Sequence, residues 1–148
     1  MSILFLNASP NTNGNTVRLA HQVLAGKDYQ TLHLTDYKVY DYGQEFSDDQ
    51  FEEVLYQVLA ADTIVIGSPV YWHSFTGLLR NFLDRQYGVI QDELAGKNLA
   101  FLFQGSAPTA DILKMADYSM SRYAGLYGMN YLGMVTSNQE AQALANKL

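Results

Sequence analysis

Ser9, Asn11, Asn15 and Thr16 stand within one polar stretch, NASPNTNGNT over residues 7–16, which follows a short apolar run and carries no charge until Arg18. The segment leads from a strand pattern into a helix pattern, so its backbone N–H groups and the positive end of the helix dipole converge on one spot. Hydroxyls and carboxamides gathered there, with Gly14 allowing close approach, make a neutral donor set that can satisfy a dianionic phosphate. The same residues also describe an ordinary Asn13-Gly14 turn with Asn15 as a helix cap. Several phosphate chemistries drop out by inspection. The stretch contains neither G-x-x-x-x-G-K-[ST] nor G-x-G-x-x-G, the chain has no cysteine for a thiol phosphatase, and no acidic cluster ends the first strand as a response-regulator receiver requires. A phosphoester that is held and not cleaved remains.

A second segment, GSPVYWHSFTGLLRNFLDR over residues 67–85, begins with a Gly-Ser-Pro turn and presents Tyr71 and Trp72 just before Ser74, which is expected to cap a helix. Two large rings beside exposed backbone donors suit a flat heteroaromatic guest. Packing of Trp72 on its own helix or on a partner chain is the competing use. His73 is assigned no role. A third polar segment, QGSAPTAD over residues 104–111, ends another apolar run.

These segments can cooperate only if the chain brings them to one edge. Apolar runs alternate with helical periodicities from end to end: ILFLNAS (3–9), QTLHLTD (30–36), TIVIGSP (63–69), LAFLFQGS (99–106) and YLGMVTS (131–137). Four are nearly continuous in apolar residues, as in strands covered on both faces, while the second alternates and suits a sheet edge. Val17, Ala20, His21 and Leu24 mark a first helix, and Phe51, Val54, Leu55, Val58 and Leu59 a second, with Ser47 and Gln50 as a capping box. Phe75, Leu78, Leu79, Phe82 and Leu83 mark a third. Ile112, Met115, Ala116, Ser119 and Tyr123 mark a fourth; Ala141, Leu144, Ala145 and Leu148 mark a fifth, expected to be capped by Ser137 with Glu140. Repeated strand–helix units predict an α/β fold, a three-layer doubly wound five-stranded parallel sheet with right-handed crossovers. In the order 2-1-3-4-5, the first, third and fourth strands are neighbours, and the three polar segments share the rim beyond their carboxyl ends, where such sheets bind ligands.

Bulk composition limits the partners. With 148 residues and 48% hydrophobic content, one domain over residues 1–148 is expected. Nine Lys and Arg against 15 Asp and Glu give a formal charge of −6 with no basic run, which argues against nucleic acid and anionic membrane surfaces. No segment approaches the roughly 18 apolar residues of a membrane span. The Ile3 to Leu6 run is too short for a signal peptide core, so a soluble cytoplasmic protein is expected. Without cysteine there is no disulfide and no Cys-ligated metal centre.

The chain resembles the flavodoxin-like NAD(P)H-dependent FMN and quinone reductases. The resemblance covers essentially the whole chain. It rests on SPNTNGNT in the place of the family's S-P-x-x-x-G-N-[ST] phosphate loop and on residues 67–85 in the place of its G-[ST]-P-x-Y-x-x-S-x-[ST]-x-L-K-x-F-x-D-R segment. It implies that Ser9, Asn11, Asn15 and Thr16 take the FMN phosphate, that Pro69, Val70, Tyr71 and Trp72 line the isoalloxazine, and that Gln104, Gly105 and Ser106 add contacts. It also implies NADH or NADPH as co-substrate, a small acceptor such as a quinone or flavin, a homodimer, and no catalytic side chain, because the flavin carries the chemistry. A flavodoxin-type electron carrier and a flavin-free scaffold on the same fold are the alternatives. Two departures stand out. Asn11 replaces the Arg or Lys that often follows Ser-Pro, and DYKVYDYGQEF (36–46) occupies the place where iron–sulfur flavoproteins carry a cysteine cluster. The aromatics Tyr37, Tyr40, Tyr42 and Phe46 of that insert are expected to cover the flavin or a dimer partner.

Overall fold

In the computed structural model, which describes residues 1–148, strands β1 (Ile3–Asn7), β2 (Gln30–His33), β3 (Thr63–Pro69), β4 (Asn98–Gln104) and β5 (Asn130–Val135) all run parallel. Their order is β2-β1-β3-β4-β5, the predicted topology. Helices α1 (Asn15–Val23), α2 (Phe51–Ala60), α3 (Gly77–Arg85), α4 (Ala110–Leu126) and α5 (Ala141–Ala145) supply the crossovers.

Alternation along each strand decides which layer a side chain joins. Leu4, Leu6, Ile64, Ile66, Leu99, Phe101 and Phe103 belong to the core shared with α2, α3 and α4, whereas Phe5, Val65, Ala100 and Leu102 pack with α1 and α5. Full burial of a residue such as Phe101 contributes about 1.5–3 kcal/mol, so each central strand is held from both sides. Phe75 reinforces the first layer by packing edge-on against Phe101 and Phe103, with centroids 5.4 and 5.9 Å apart.

On the other face, small residues let α1 lie close to the sheet. A Cβ at Gly67 would stand 2.7 Å from Cγ2 of Thr16 and 2.9 Å from the Phe5 ring. Only glycine therefore lets the first turn of α1 settle over β3, and that contact fixes where the helix N-terminus points.

Most departures from the predicted pattern concern caps. Thr76, not Ser74, caps α3, its hydroxyl accepting from Leu79 N at 3.2 Å. Ser74 is engaged in a two-way backbone pair with Tyr71, and buried Phe75 intervenes before the helix can begin. The Ser47–Gln50 capping box is absent: the Asp49 carboxylate accepts from Phe51 N, while Oε1 of Gln50 accepts from Lys38 N. Gly14 is the N-cap residue of α1 and makes no side-chain cap; Asn15 is already helical. On α4 the buried residues are Ala116, Met120 and Ala124, and Met115 is exposed. β2 ends at His33, and Leu34–Asp36 forms a 3-10 turn that still buries Leu34.

The aromatic insert is seated on α2 and α3. Arg85 forms a two-pronged pair with Asp49, both bonds 2.8 Å, donates to the Tyr40 carbonyl and lies over the Phe51 ring. Tyr40 packs on Phe46 at 4.4 Å, Asn81 holds the Val39 carbonyl, and Gln57 donates to the Tyr37 hydroxyl. No helix is long and apolar enough to cross a membrane.

Candidate functional site

The loops after β1, β3 and β4 meet at one rim and are bonded to one another. Ala8 N donates to the Gly67 carbonyl, and Val70 N donates to the Gln104 carbonyl, each at 2.8 Å. The Thr76 hydroxyl donates to the Ala8 carbonyl at 2.7 Å, while Thr76 N donates to Oγ of buried Ser68. Nε2 of Gln104 donates to Oγ1 of Thr16 at 3.1 Å. The third loop is drawn still closer by Gly105, where a Cβ would stand 2.9 Å from Cβ of Val70.

In the first loop, Ser9 and Thr16 are buried and Asn11 and Asn15 are exposed. Oγ of Ser9 accepts from Asn11 N at 3.1 Å, and Oδ1 of Asn15 accepts from Arg18, so the Asn15 side chain turns along the helix. The backbone N–H groups of residues 13 to 17 donate to nothing within the chain. They stand at the start of a nine-residue helix, and residues 8–16 contain no carboxylate. An anion therefore meets unpaired donors and the positive helix end with no opposing charge.

In the second loop, Pro69 is buried as the last residue of β3, while Tyr71 and Trp72 are exposed, Trp72 to 94%. Tyr71 and Ser74 exchange both backbone bonds at 3.0 Å, closing a tight turn whose central residues Trp72 and His73 have φ of +49° and +63°. Two side-chain-bearing residues in succession in the left-handed region cost on the order of 1–3 kcal/mol each. Ala107 in the third loop, with φ of +112°, is the only other non-glycine residue of this kind. All backbone strain of this type thus lies at the rim. Between these two loops runs a groove of about 330 Å3, lined by Val70, Trp72, His73, residues 106–109 and Ile112. A larger hollow of about 620 Å3 lies at the opposite, amino end of the sheet near Ser2 and Asp62 and touches none of the rim loops.

The structure thus brings together the first, second and third loops and leaves the insert of residues 37–46 outside them: no hydrogen bond joins it to the rim. Pattern analysis missed Asn7, Ser68 and Thr76, which tie the loops without facing the groove. The available signals were the two hydroxyl positions of the family segment, occupied by Ser68 and Thr76, and the pair Ser74 and Thr76, two hydroxyls competing to cap one helix. Nor do three or more His, Asp or Glu side chains gather to hold a metal ion.

An open parallel α/β sheet of flavodoxin-like order, with a donor-rich rim at its switch point, defines the class. The sequence profile of the NADPH-dependent FMN reductases matches residues 1–143, and the chain belongs to that family, whose cofactor is FMN. An iron–sulfur flavoprotein of Archaeoglobus fulgidus is 32% identical over 98 residues, 57% of this chain and 48% of that protein. The chain spans about half the length of the curated relatives it matches. Among solved structures, an NADH:FMN oxidoreductase in apo form is 26% identical, with a TM-score of 0.71 over 98% of this chain and 84% of the other. The Trp repressor binding protein from Bacillus subtilis shares the fold over 99% of both chains, with a TM-score of 0.81 at 19% identity.

Proposed function

We propose that this chain is an FMN-dependent oxidoreductase that takes electrons from NADH or NADPH and delivers them to a small flat acceptor such as a quinone or free flavin. The observation that carries this reading is the union, at one rim, of unpaired N–H groups over residues 13–17 with a groove flanked by the exposed Trp72 ring.

The donor chemistry fits FMN. Ser9, Asn11, Asn15 and Thr16 would hold the phosphate, the first and last keeping a hydroxyl proton to give and the helix end supplying partial positive charge. Val70, Tyr71 and Trp72 would line the isoalloxazine, with Pro69 setting the turn that presents them and Gln104, Gly105 and Ser106 completing the third side. When bound, FMN supplies hydride acceptance and donation; no side chain is required as acid, base or nucleophile. The backbone N–H groups of Trp72 and His73 have no partner within the chain and are available to negative charge that builds on the ring. A homodimer is the assembly this reading carries, supported by the exposed rings of Trp72, Tyr42 and Phe46, and the cytoplasm is the compartment it carries.

The test is mass spectrometry of the ligand released from native protein, followed by NAD(P)H oxidation assays with quinone, free flavin and azo dye. FMN in the eluate and steady oxidation with ping-pong kinetics are expected. A flavin-bearing protein that exchanges electrons only with protein partners would identify a carrier instead.

A further inference from the structure

Asn7 and His33 are the last paired residues of β1 and β2 and face each other across the sheet. The Asn7 side chain is fully buried and holds the first loop at two points: Oδ1 accepts from Ser9 N, and Nδ2 donates to the Asn11 carbonyl, both at 3.1 Å. Nδ2 also lies 2.9 Å from Nδ1 of His33. The two loop bonds fix which way the carboxamide points. Turned over, it would set its oxygen against the Asn11 carbonyl and its NH2 against the Ser9 N–H. Nδ2 therefore presents a proton to His33, and Nδ1 must be the lone-pair nitrogen, with the ring proton on Nε2. A second proton on this imidazole would oppose N–H to N–H and strip a buried amide of its partner.

We propose that neutral His33 is a positioning residue for the loop of residues 8–16, and that its protonation loosens this loop and weakens its hold on a phosphate group. The inference rests on the reading that the loop takes the FMN phosphate. On the face His33 shares with Asn7, β1 and the loop bring no titratable side chain. Elsewhere, α1 carries Arg18, tied to Asn15, and His21, while Asp36 and Tyr37 follow on the connection from β2. None of these bonds His33.

FMN and riboflavin affinities of ligand-free wild type, His33→Asn and His33→Leu, titrated by fluorescence from pH 8 to pH 5, provide the test. Asparagine offers a carbonyl oxygen where Nδ1 stands and does not titrate. At pH 8 wild type and His33→Asn bind FMN alike, and at pH 5 wild type binds about tenfold more weakly than His33→Asn, the scale of one lost buried hydrogen bond. His33→Leu is weakened by a similar factor at every pH. The second ionisation of the phosphate, near pH 6, and the other histidines, His21 and His73, are common to these proteins and cancel. Riboflavin, which has no phosphate, shows no such difference. Identical pH profiles in wild type and His33→Asn overturn the proposal, as does a wild type that gains affinity on acidification, which would make His33 a counter-ion. Failure of the functional reading looks different: wild type would bind no FMN at pH 8, or would bind riboflavin as tightly. NMR of ligand-free protein gives a readout independent of FMN. The Asn7 side-chain NH2 signals shift in step with the His33 ring protons, and Asn7 signals indifferent to that titration refute the mechanism.

Discussion

A single methyl group added at residue 67 would meet Cγ2 of Thr16 at 2.7 Å and the Phe5 ring at 2.9 Å, neither of which can swing away from a packed sheet face. Gly67→Ala should therefore cost about 1–3 kcal/mol in urea unfolding and displace the start of α1, so that FMN affinity falls with stability. Thr76 tests the rim bonds from the other side. Its hydroxyl caps α3 and holds the Ala8 carbonyl at once, so Thr76→Val should lose about 1–2 kcal/mol, while Thr76→Ser retains most of it. Trp72 is the opposite case, exposed and held at φ of +49°. Trp72→Gly should stabilise the ligand-free protein by about 0.5–1 kcal/mol in thermal unfolding while weakening FMN binding, because it relieves the backbone and removes the ring. Equal or improved FMN affinity in that variant would show that the indole is not a ligand contact. The ring of Trp72 was legible from residue type, but its backbone was not: a bulky residue rarely adopts a positive φ, and nothing in the local pattern around Trp72 and His73 signals it.

At the scale of elements, the insert between β2 and α2 behaves as a strap that one ion pair, Asp49–Arg85, buckles to α3. The Arg85 guanidinium holds the Asp49 carboxyl down at about 2, from an ordinary value of 3.8. The sign follows: a depressed carboxylate adds stability that is present above its unfolded value and lost as pH falls toward 2. Side chains only 18% exposed keep most of the effect, about 2 kcal/mol at 1.36 kcal/mol per pH unit. Asp49→Asn should thus be less stable than wild type by about that amount at pH 7, with the gap closing between pH 4 and pH 2 in acid titrations of unfolding. Legibility differed among elements for physical reasons. β3 runs from Thr63 to Pro69, the span of its apolar run, because both its faces are buried and nothing else competes. The caps are not legible in the sequence because a hydroxyl or carboxamide near a helix start has several backbone groups within reach, and Phe75 and the Asp49–Arg85 pair decide between them. On α4, the spacing of Met115 matches a core position, yet the buried face is set by where β5 lies, which spacing does not encode.

For the molecule as a whole, strand order was legible because continuous apolar runs and helical connections leave few topologies open, and the three polar segments share the rim that this order requires. The bonds among them were not, since residues such as Thr76 and Ala8 lie 68 positions apart and no linear pattern links them. Net charge gives a further expectation. With the FMN phosphate held by neutral donors as proposed, a chain of charge −6 should bind FMN no more weakly, and slightly more tightly, as salt rises from about 0.02 to 0.2 M, because screening relieves repulsion across the Debye length. A steep loss of affinity with salt would instead reveal a cationic contact. The cross-bonding of Ala8, Thr16, Thr76, Val70 and Gln104 also bears on redesign. A protein engineer who exchanges one of these loops for a homologue's severs attachments anchored in the other two, so altered substrate preference has to be sought by replacing the trio together or by changing only outward residues such as Trp72.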